Sequence, residues 1–190
     1  MGDAQIFAPT ASYIMDMNSF FAKWVRDIVD SQHSSGYVYD VNPKMVVGGP
    51  SKPAWGDAVV VVPYMIYQFY GDKSIITDNY EAMKKWVNYM NNHATTSKDG
   101  LYSWSDGKGF YGYGDWVPVE KSPTKPIGGL YQVYSNRLLS EMANIIGKSP
   151  DYQQFAAKAK QYTDKFNELY FKDGQYEGGT QTANLLPIAL

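Results

Sequence analysis

The stretch from Ala58 to Tyr70 constrains this chain more than any other. It opens with Ala58 and four valines, Val59 to Val62, and continues through Tyr64, Met65, Ile66, Tyr67, Phe69 and Tyr70. Read as a helix from about Asp57 to Tyr70, it is apolar on every side, and such a helix has to be buried. A valine run also suits a buried strand, but the length and aromatic continuation favour helix. Pro63, which removes one backbone donor, is expected to kink it.

The other helical segments are amphipathic. Tyr13, Ile14, Met17, Phe20, Phe21, Trp24, Val25 and Ile28 follow the helical period closely, with Pro9 and Thr10 suiting the helix start. Asp16, Lys23, Arg26, Asp27 and Asp30 fall mostly off this stripe, which reads as core. A third helix is expected over roughly Ser74 to Asn92, with Tyr80, Met83, Trp86, Val87 and Met90 facing inward. Two more follow at about 128–147 and 150–170. Gly147 closes the first, and Ser149 and Pro150 form an N-cap and first turn for the second. Residues 171–177 read as a short extended turn around Asp173 and Gly174, and a last helix starts near Thr180. The predicted class is all-α, built from antiparallel helical hairpins repeated about three times. The apolar stretch Ala183 to Leu190 reads as the inside of a helix, so residues 1–190 are expected to be a fragment of one domain, cut at both ends.

Two long loops, 33–56 and 95–127, interrupt the helices, and loops of this length are uncommon unless functional. Trp55-Gly56-Asp57 stands at the end of the first, and Gly114-Asp115-Trp116 lies within the second. A carboxylate accepts hydrogen bonds from neighbouring hydroxyls. An indole offers a flat apolar face and one N–H donor. Together they suit a ring with a rim of hydroxyls and a C–H face, as in a sugar. The plain alternative is turn glycines, capping aspartates and core tryptophans. A further Gly2-Asp3 opens the chain, and Gly71-Asp72 reads as a helix end. Trp104 and Asp106, in the second loop, are candidates for a more distant subsite. The 17 Tyr, 8 Phe and 5 Trp fit either a carbohydrate site or an aromatic core.

A net charge of −2 leaves no basic footprint, so nucleic acid is not an expected partner. With no cysteine there is neither disulfide nor thiolate metal site, which is compatible with a cytoplasmic protein. No apolar run is long enough to span a membrane, and the first residues do not read as a signal peptide. His33 and His93 stand alone at helix ends and read as caps, not metal ligands. Asp40, Asn42 and Asp106 lack calcium-site spacing, and Gly107-Lys108-Gly109 lacks the rest of a phosphate-binding loop. No cofactor or metal is expected.

Several strings, in order, resemble the catalytic domain of the bacterial α-L-rhamnosidases. They are Gly2-Asp3-Ala4-Gln5 running on to Ser12, Pro53-Ala54-Trp55-Gly56-Asp57-Ala58, and Gln68-Phe69-Tyr70-Gly71-Asp72. Then come Met83-Lys84-Lys85-Trp86-Val87, Tyr113-Gly114-Asp115-Trp116 and Thr180-Gln181-Thr182-Ala183. The resemblance implies an (α/α)6 toroid of two concentric helical rings, of which this chain supplies about half. It also implies removal of terminal α-L-rhamnose with inversion. Inversion requires an acid and a base carboxyl roughly 6.5–9.5 Å apart.

The resemblance places the general acid just before Gly2-Asp3 and the general base beyond Leu190, so neither is carried over and no catalytic residue is assigned. Glu81, Glu141 and Glu168 read as helix surface charges, and Glu120 and Glu177 as loop and turn residues. What carries over is recognition: Asp3, Trp55 and Trp116 match residues lining the family's rhamnose pocket. Asp57 and Asp115 are divided between sugar contact and support of the neighbouring tryptophan. The expected partners are rhamnose-containing glycosides and, through the open edges of a partial barrel, other copies of the chain. Two other readings stand beside this one: a non-catalytic helical sugar-binding or packing module, and an (α/α)6 hydrolase of the glucoamylase or trehalase kind acting on another sugar.

Overall fold

A computed structural model describes residues 1–45 and 48–190. Val46 and Val47, inside the first predicted loop, lie outside the described residues. The helices are α1 (Gly2–Ile14), α2 (Asn18–Ser31), α3 (Ala58–Tyr70), α4 (Ser74–Thr77), α5 (Tyr80–Thr96), α6 (Lys125–Ile145), α7 (Ser149–Tyr170) and α8 (Gln181–Ala189). Between α7 and α8 a small antiparallel hairpin pairs β1 (Phe171–Lys172) with β2 (Gln175–Tyr176), turning at Asp173 and Gly174 as the sequence suggests.

The all-apolar segment is a helix and takes the central place its composition demands: α3 touches α1, α2, α4, α5 and α6. Val59, Val60, Val62 and Ile66 are fully buried in the main core with Val25, Ile28, Met83, Trp86, Leu139 and Met142. Pro63 sits inside the helix and is itself buried. Gly71 closes α3 in the left-handed region, at φ 71°, and its N–H donates to the Tyr67 carbonyl.

Three expectations about helices are corrected. The stripe from Tyr13 to Ile28 is not one helix beginning at Pro9. It joins the end of α1, which starts at Gly2 and carries Pro9 in its interior, to the buried face of α2. Met15 is extended, the Met17 N–H donates to the Tyr70 hydroxyl (2.8 Å), and the Asn18 N–H to Asp16 Oδ1 (3.1 Å). The break preserves helical spacing in the sequence, so periodicity does not register it. Phe21, Val25 and Ile28 are core, whereas Tyr13, Ile14 and Phe20 are exposed. The segment from Ser74 likewise divides, at Asp78 and Asn79, into α4 and α5, with Asn79 Nδ2 donating to the Ile75 carbonyl (2.8 Å). The inward residues of α5, Tyr80, Met83, Trp86, Val87 and Met90, are all buried as expected. Ser149 is the first residue of α7 instead of its cap; Lys148 takes that position, and Pro150 lies in the first turn.

α6 and α7 form the most extensive hairpin. Between α5 and α6 runs a buried amide seam. Gln132 Nε2 and Asn136 Nδ2 both donate to Asn91 Oδ1 (3.1 and 3.0 Å), and Gln132 Oε1 accepts the Tyr102 backbone N–H (2.8 Å). The last contact ties the second long loop to α6. Buried polar groups satisfied in this way specify one register between helices.

Candidate functional site

The Trp-Gly-Asp string is a turn leading into α3, and each residue has a separate task. Asp57 is fully buried. Its Oδ1 accepts from Trp86 Nε1 (3.1 Å) and the Ser135 hydroxyl (2.7 Å), and its Oδ2 from the Ala54 N–H (2.9 Å). Burial pushes its carboxyl up to about 6, against the pull of these donors. Ala54 is held at φ 71°, a region costly for a residue with a Cβ. Gly56 lies so close to the Trp86 ring that a Cβ there would sit 2.6 Å from it. The result is that Trp55 leaves the core and faces a cavity.

That cavity has a volume of about 660 Å³, within the usual range of small-molecule sites. Three parts of the chain line it. From α1 come Asp3, Gln5, Ile6, Phe7 and Thr10; from the two loops come Trp55, Gly114, Asp115 and Trp116; from α6 and α8 come Tyr131, Thr182 and Leu186. Gly2 completes the join: its backbone lies against the indole of Trp55, where a Cβ would come within 2.7 Å.

Asp3, Trp55, Asp115 and Trp116, widely separated in the sequence, thus meet round one space. Asp57 does not line it; it sits behind Trp55 and supports the turn. Asp115 does line it, and Oδ2 accepts the Thr182 hydroxyl (2.7 Å), which fastens the second loop to α8. The wall is aromatic: Trp55 and Trp116 meet edge to face at 5.9 Å, and Tyr113 contacts both, at 4.6 and 5.6 Å. Trp116 is 61% exposed.

Tyr113 is fastened from behind. Its hydroxyl donates to Asp40 Oδ2 (3.0 Å), which also receives Lys52 Nζ (2.7 Å). Burial raises the Tyr113 phenol, with the Asp40 charge adding to it, to about 12. Burial would raise the Asp40 carboxyl as well, but Lys52, the Ser51 hydroxyl and the Lys52 N–H outweigh it and leave the group below its ordinary value.

Trp104 and Asp106 do not line the cavity. Trp104 packs against Phe110 at 5.7 Å, and Lys52 Nζ lies 4.9 Å above a Trp104 ring. Asp106 accepts the Lys108 and Phe110 N–H groups within its own turn. His33 contacts Ser35, and His93 Nδ1 lies 2.9 Å from the Tyr89 carbonyl. Among the described residues no group of His, Asp and Glu is placed to hold a metal ion. No helix of the described residues is long and apolar enough to cross a membrane.

Sequence reading missed Ile6, Phe7, Thr10, Tyr131, Thr182 and Leu186 as cavity residues. Asp3, Ile6, Phe7 and Thr10 do share one face of a helix by spacing, but a stripe of this kind is indistinguishable from a core stripe until α1 is known to begin at Gly2. Gln5, next to this face, is buried, and its Oε1 has no hydrogen-bond partner among the described residues. The anchors Asp40 and Lys52 were also missed, having no local signature.

Residues 1–190 match the family model described as the bacterial alpha-L-rhamnosidase 6 hairpin glycosidase domain. The chain is 34% identical to an alpha-L-rhamnosidase of Streptomyces avermitilis, an alignment covering 100% of this chain and 18% of that protein. It is 31% identical to one of Formosa agariphila, covering 99% of this chain and 20% of that one. Among solved structures, the alpha-L-rhamnosidase from Dictyoglumus thermophilum superposes with a TM-score of 0.87 at 33% identity, over 99% of this chain and 21% of that one. The Streptomyces avermitilis enzyme complexed with L-rhamnose superposes at 0.85 and 33% identity, over 97% and 17%. The chain therefore spans about a fifth of the length of these relatives.

Proposed function

This chain belongs to the bacterial alpha-L-rhamnosidase six-hairpin glycosidase family, and from that premise we propose that its cavity is part of a pocket for a terminal α-L-rhamnosyl group. The observation that carries the reading is the convergence of Asp3, Trp55, Asp115 and Trp116 on one cavity. The carboxylates of Asp3 and Asp115 would accept hydrogen bonds from sugar hydroxyls, and the indoles of Trp55 and Trp116 would face its C–H and methyl groups. The Streptomyces avermitilis relative, whose structure holds L-rhamnose, supports this choice of sugar.

In this proposal the 190 residues form about half of an (α/α)6 toroid and supply recognition. The acid and base for inverting hydrolysis stand on parts of the domain outside them, consistent with the fifth of its relatives that the chain covers. None of the five glutamates lines the cavity. Rhamnoside hydrolysis then belongs to the whole domain.

The test is L-rhamnose titration of this chain followed by NMR, with D-glucose as the control sugar, beside release of nitrophenol from p-nitrophenyl α-L-rhamnoside. The expected result is rhamnose-selective binding that Trp55→Ala weakens about tenfold. Hydrolysis is expected only in a version extended in both directions. Failure of L-rhamnose to perturb the Trp55 and Trp116 resonances would remove the pocket reading. Equal hydrolysis by both versions would remove the placement of the acid and base, and Asp3 and Asp115 would then be the carboxylates to mutate.

Exposed Ile6, Phe7, Tyr13 and Ile14 on α1, with Leu185 and Ile188 on α8, favour self-association of the isolated chain. Sedimentation showing a monomer at high concentration would dispose of that part.

A further inference from the structure

We infer that Tyr113 is a positioning residue for the tryptophan wall, locked in place by the buried Asp40–Lys52 ion pair; the inference rests on the pocket reading above. Tyr113 is not itself among the residues lining the cavity. Its ring touches Trp55 at 4.6 Å and Trp116 at 5.6 Å, closer to each than they are to one another at 5.9 Å. The three rings form a triangle, with Tyr113 as the corner that does not line the cavity.

The two tryptophans come from different loops, and something must hold those loops in register. Asp40, on the first loop, does so with both carboxylate oxygens. Oδ1 accepts from the Ser51 hydroxyl (2.7 Å) and the Lys52 N–H (2.9 Å), which closes the first loop on itself. Oδ2 accepts from Lys52 Nζ (2.7 Å) and from the Tyr113 hydroxyl (3.0 Å), which reaches across to the second loop. The Lys52 ammonium also lies 5.6 Å above the Tyr113 ring and 4.9 Å above a Trp104 ring, so it holds two aromatic residues of the second loop from the same point. Asp40 and Lys52 are both largely buried, so this contact is not weakened by solvent as a surface pair would be. The phenol thus has two separable functions: its hydroxyl fixes the position, and its ring transmits that position to Trp55 and Trp116.

The separation makes the inference testable on the full 190-residue chain. L-rhamnose affinity is measured by NMR titration for the wild type, Tyr113→Phe, Tyr113→Leu and Asp40→Asn. Near-UV circular dichroism without sugar and the thermal midpoint are recorded for each. Tyr113→Phe keeps the ring and is expected to weaken binding only about threefold, whereas Tyr113→Leu is expected to weaken it about tenfold or more and to alter the tryptophan bands. Asp40→Asn should fall between them. All affinities are read well below the midpoint, so that a general loss of stability does not count as a loss of position. Variants that melt earlier yet bind L-rhamnose as the wild type does, with unchanged tryptophan bands, overturn the inference. If Tyr113→Leu does not fold, Tyr113→Phe and Asp40→Asn decide it by the same criterion. A wild-type chain that binds no L-rhamnose overturns the pocket reading, and this inference falls with it; wild-type binding with indifferent variants overturns this inference alone.

Discussion

Behind Trp55 stands a carboxylate whose side-chain partners are all neutral, Asp57; behind Tyr113 stands one in contact with an ammonium, Asp40. Both are buried and both accept several hydrogen bonds, and each steadies an aromatic ring of the wall, Asp57 through the turn that carries Trp55 and Asp40 through the Tyr113 hydroxyl. Yet the Asp57 carboxyl is pushed up to about 6 while that of Asp40 lies below its ordinary value. At the fully enclosed Asp57 the neutral donors do not offset the loss of hydration, whereas at Asp40 the Lys52 ammonium, together with the Ser51 hydroxyl and the Lys52 N–H, outweighs it. Two aspartates in similar roles therefore oppose each other in how they couple stability to pH.

The largest effect should come from breaking the ion pair. Asp40→Ala leaves the Lys52 ammonium buried without its partner and should cost about 3–5 kcal/mol, read by denaturant unfolding. In a Lys52→Met background the same substitution should cost clearly less, because no cation is then stranded; equal costs would mean that the pair is not coupled.

Next comes the pH dependence at Asp57. Its folded value, about 6, lies above its unfolded value of 3.8, so the folded state holds the extra proton between the two. Its contribution to stability is therefore fully present at acid pH and is lost as pH rises through about 6, a difference of about 3 kcal/mol. Asp40 works the other way: its contribution is present above the unfolded value and is lost as pH falls through the folded one. Subtracting the stability–pH curve of Asp57→Asn from that of the wild type should leave a falling limb between roughly pH 4 and 6. A flat difference would show that Asp57 is better hydrated than its burial implies.

Smaller effects concern how the Asp57 turn is packed. Gly56→Ala drives a methyl into the Trp86 ring and the Ser51 Cβ, at 2.6 and 2.9 Å, and should destabilise by about 1–3 kcal/mol. A neutral outcome in thermal melts would mean that Trp86 can move aside, and with it the Asp57 anchor. Smallest is Ala54→Gly. Relief of a left-handed Cβ and the extra freedom of the unfolded chain nearly cancel, so the shift should stay within about 0.5 kcal/mol. A larger gain would show that the turn is strained beyond its dihedral angle.

Much of the scaffold was legible along the chain because helical periodicity is a local property. The central burial of α3, the inward face of α5, the α6 and α7 helices and the turn at Asp173 and Gly174 all followed from short windows. The divisions at Met15–Met17 and at Asp78–Asn79 did not, since each leaves the spacing of apolar residues intact while long-range or side-chain contacts, such as the Tyr70 hydroxyl on the Met17 N–H, decide the break. At the site, Trp55 and Trp116 were marked by their neighbours in sequence. Asp3 was marked by the string that opens the chain, but Thr182, Tyr131 and the α1 residues Ile6, Phe7 and Thr10 were not assigned to the cavity, because nothing local distinguishes a cavity wall from a core stripe.

By itself the sequence determined the class of this protein: a helix apolar on all sides must be enclosed by others, and the ordered strings around Asp3, Trp55 and Trp116 tie the chain to one family. Only the tertiary structure decided which aspartate faces the cavity and which stands behind it. Asp57 and Asp115 lie in strings of the same three residues, each after a Gly and near a Trp, and composition treats them alike. One is enclosed by Trp86, Ser135 and Ala54, and the other meets Thr182 at the edge of an open space. Solvation and hydrogen-bond partners come from segments far along the chain, and these, not the local string, give a carboxylate its chemistry.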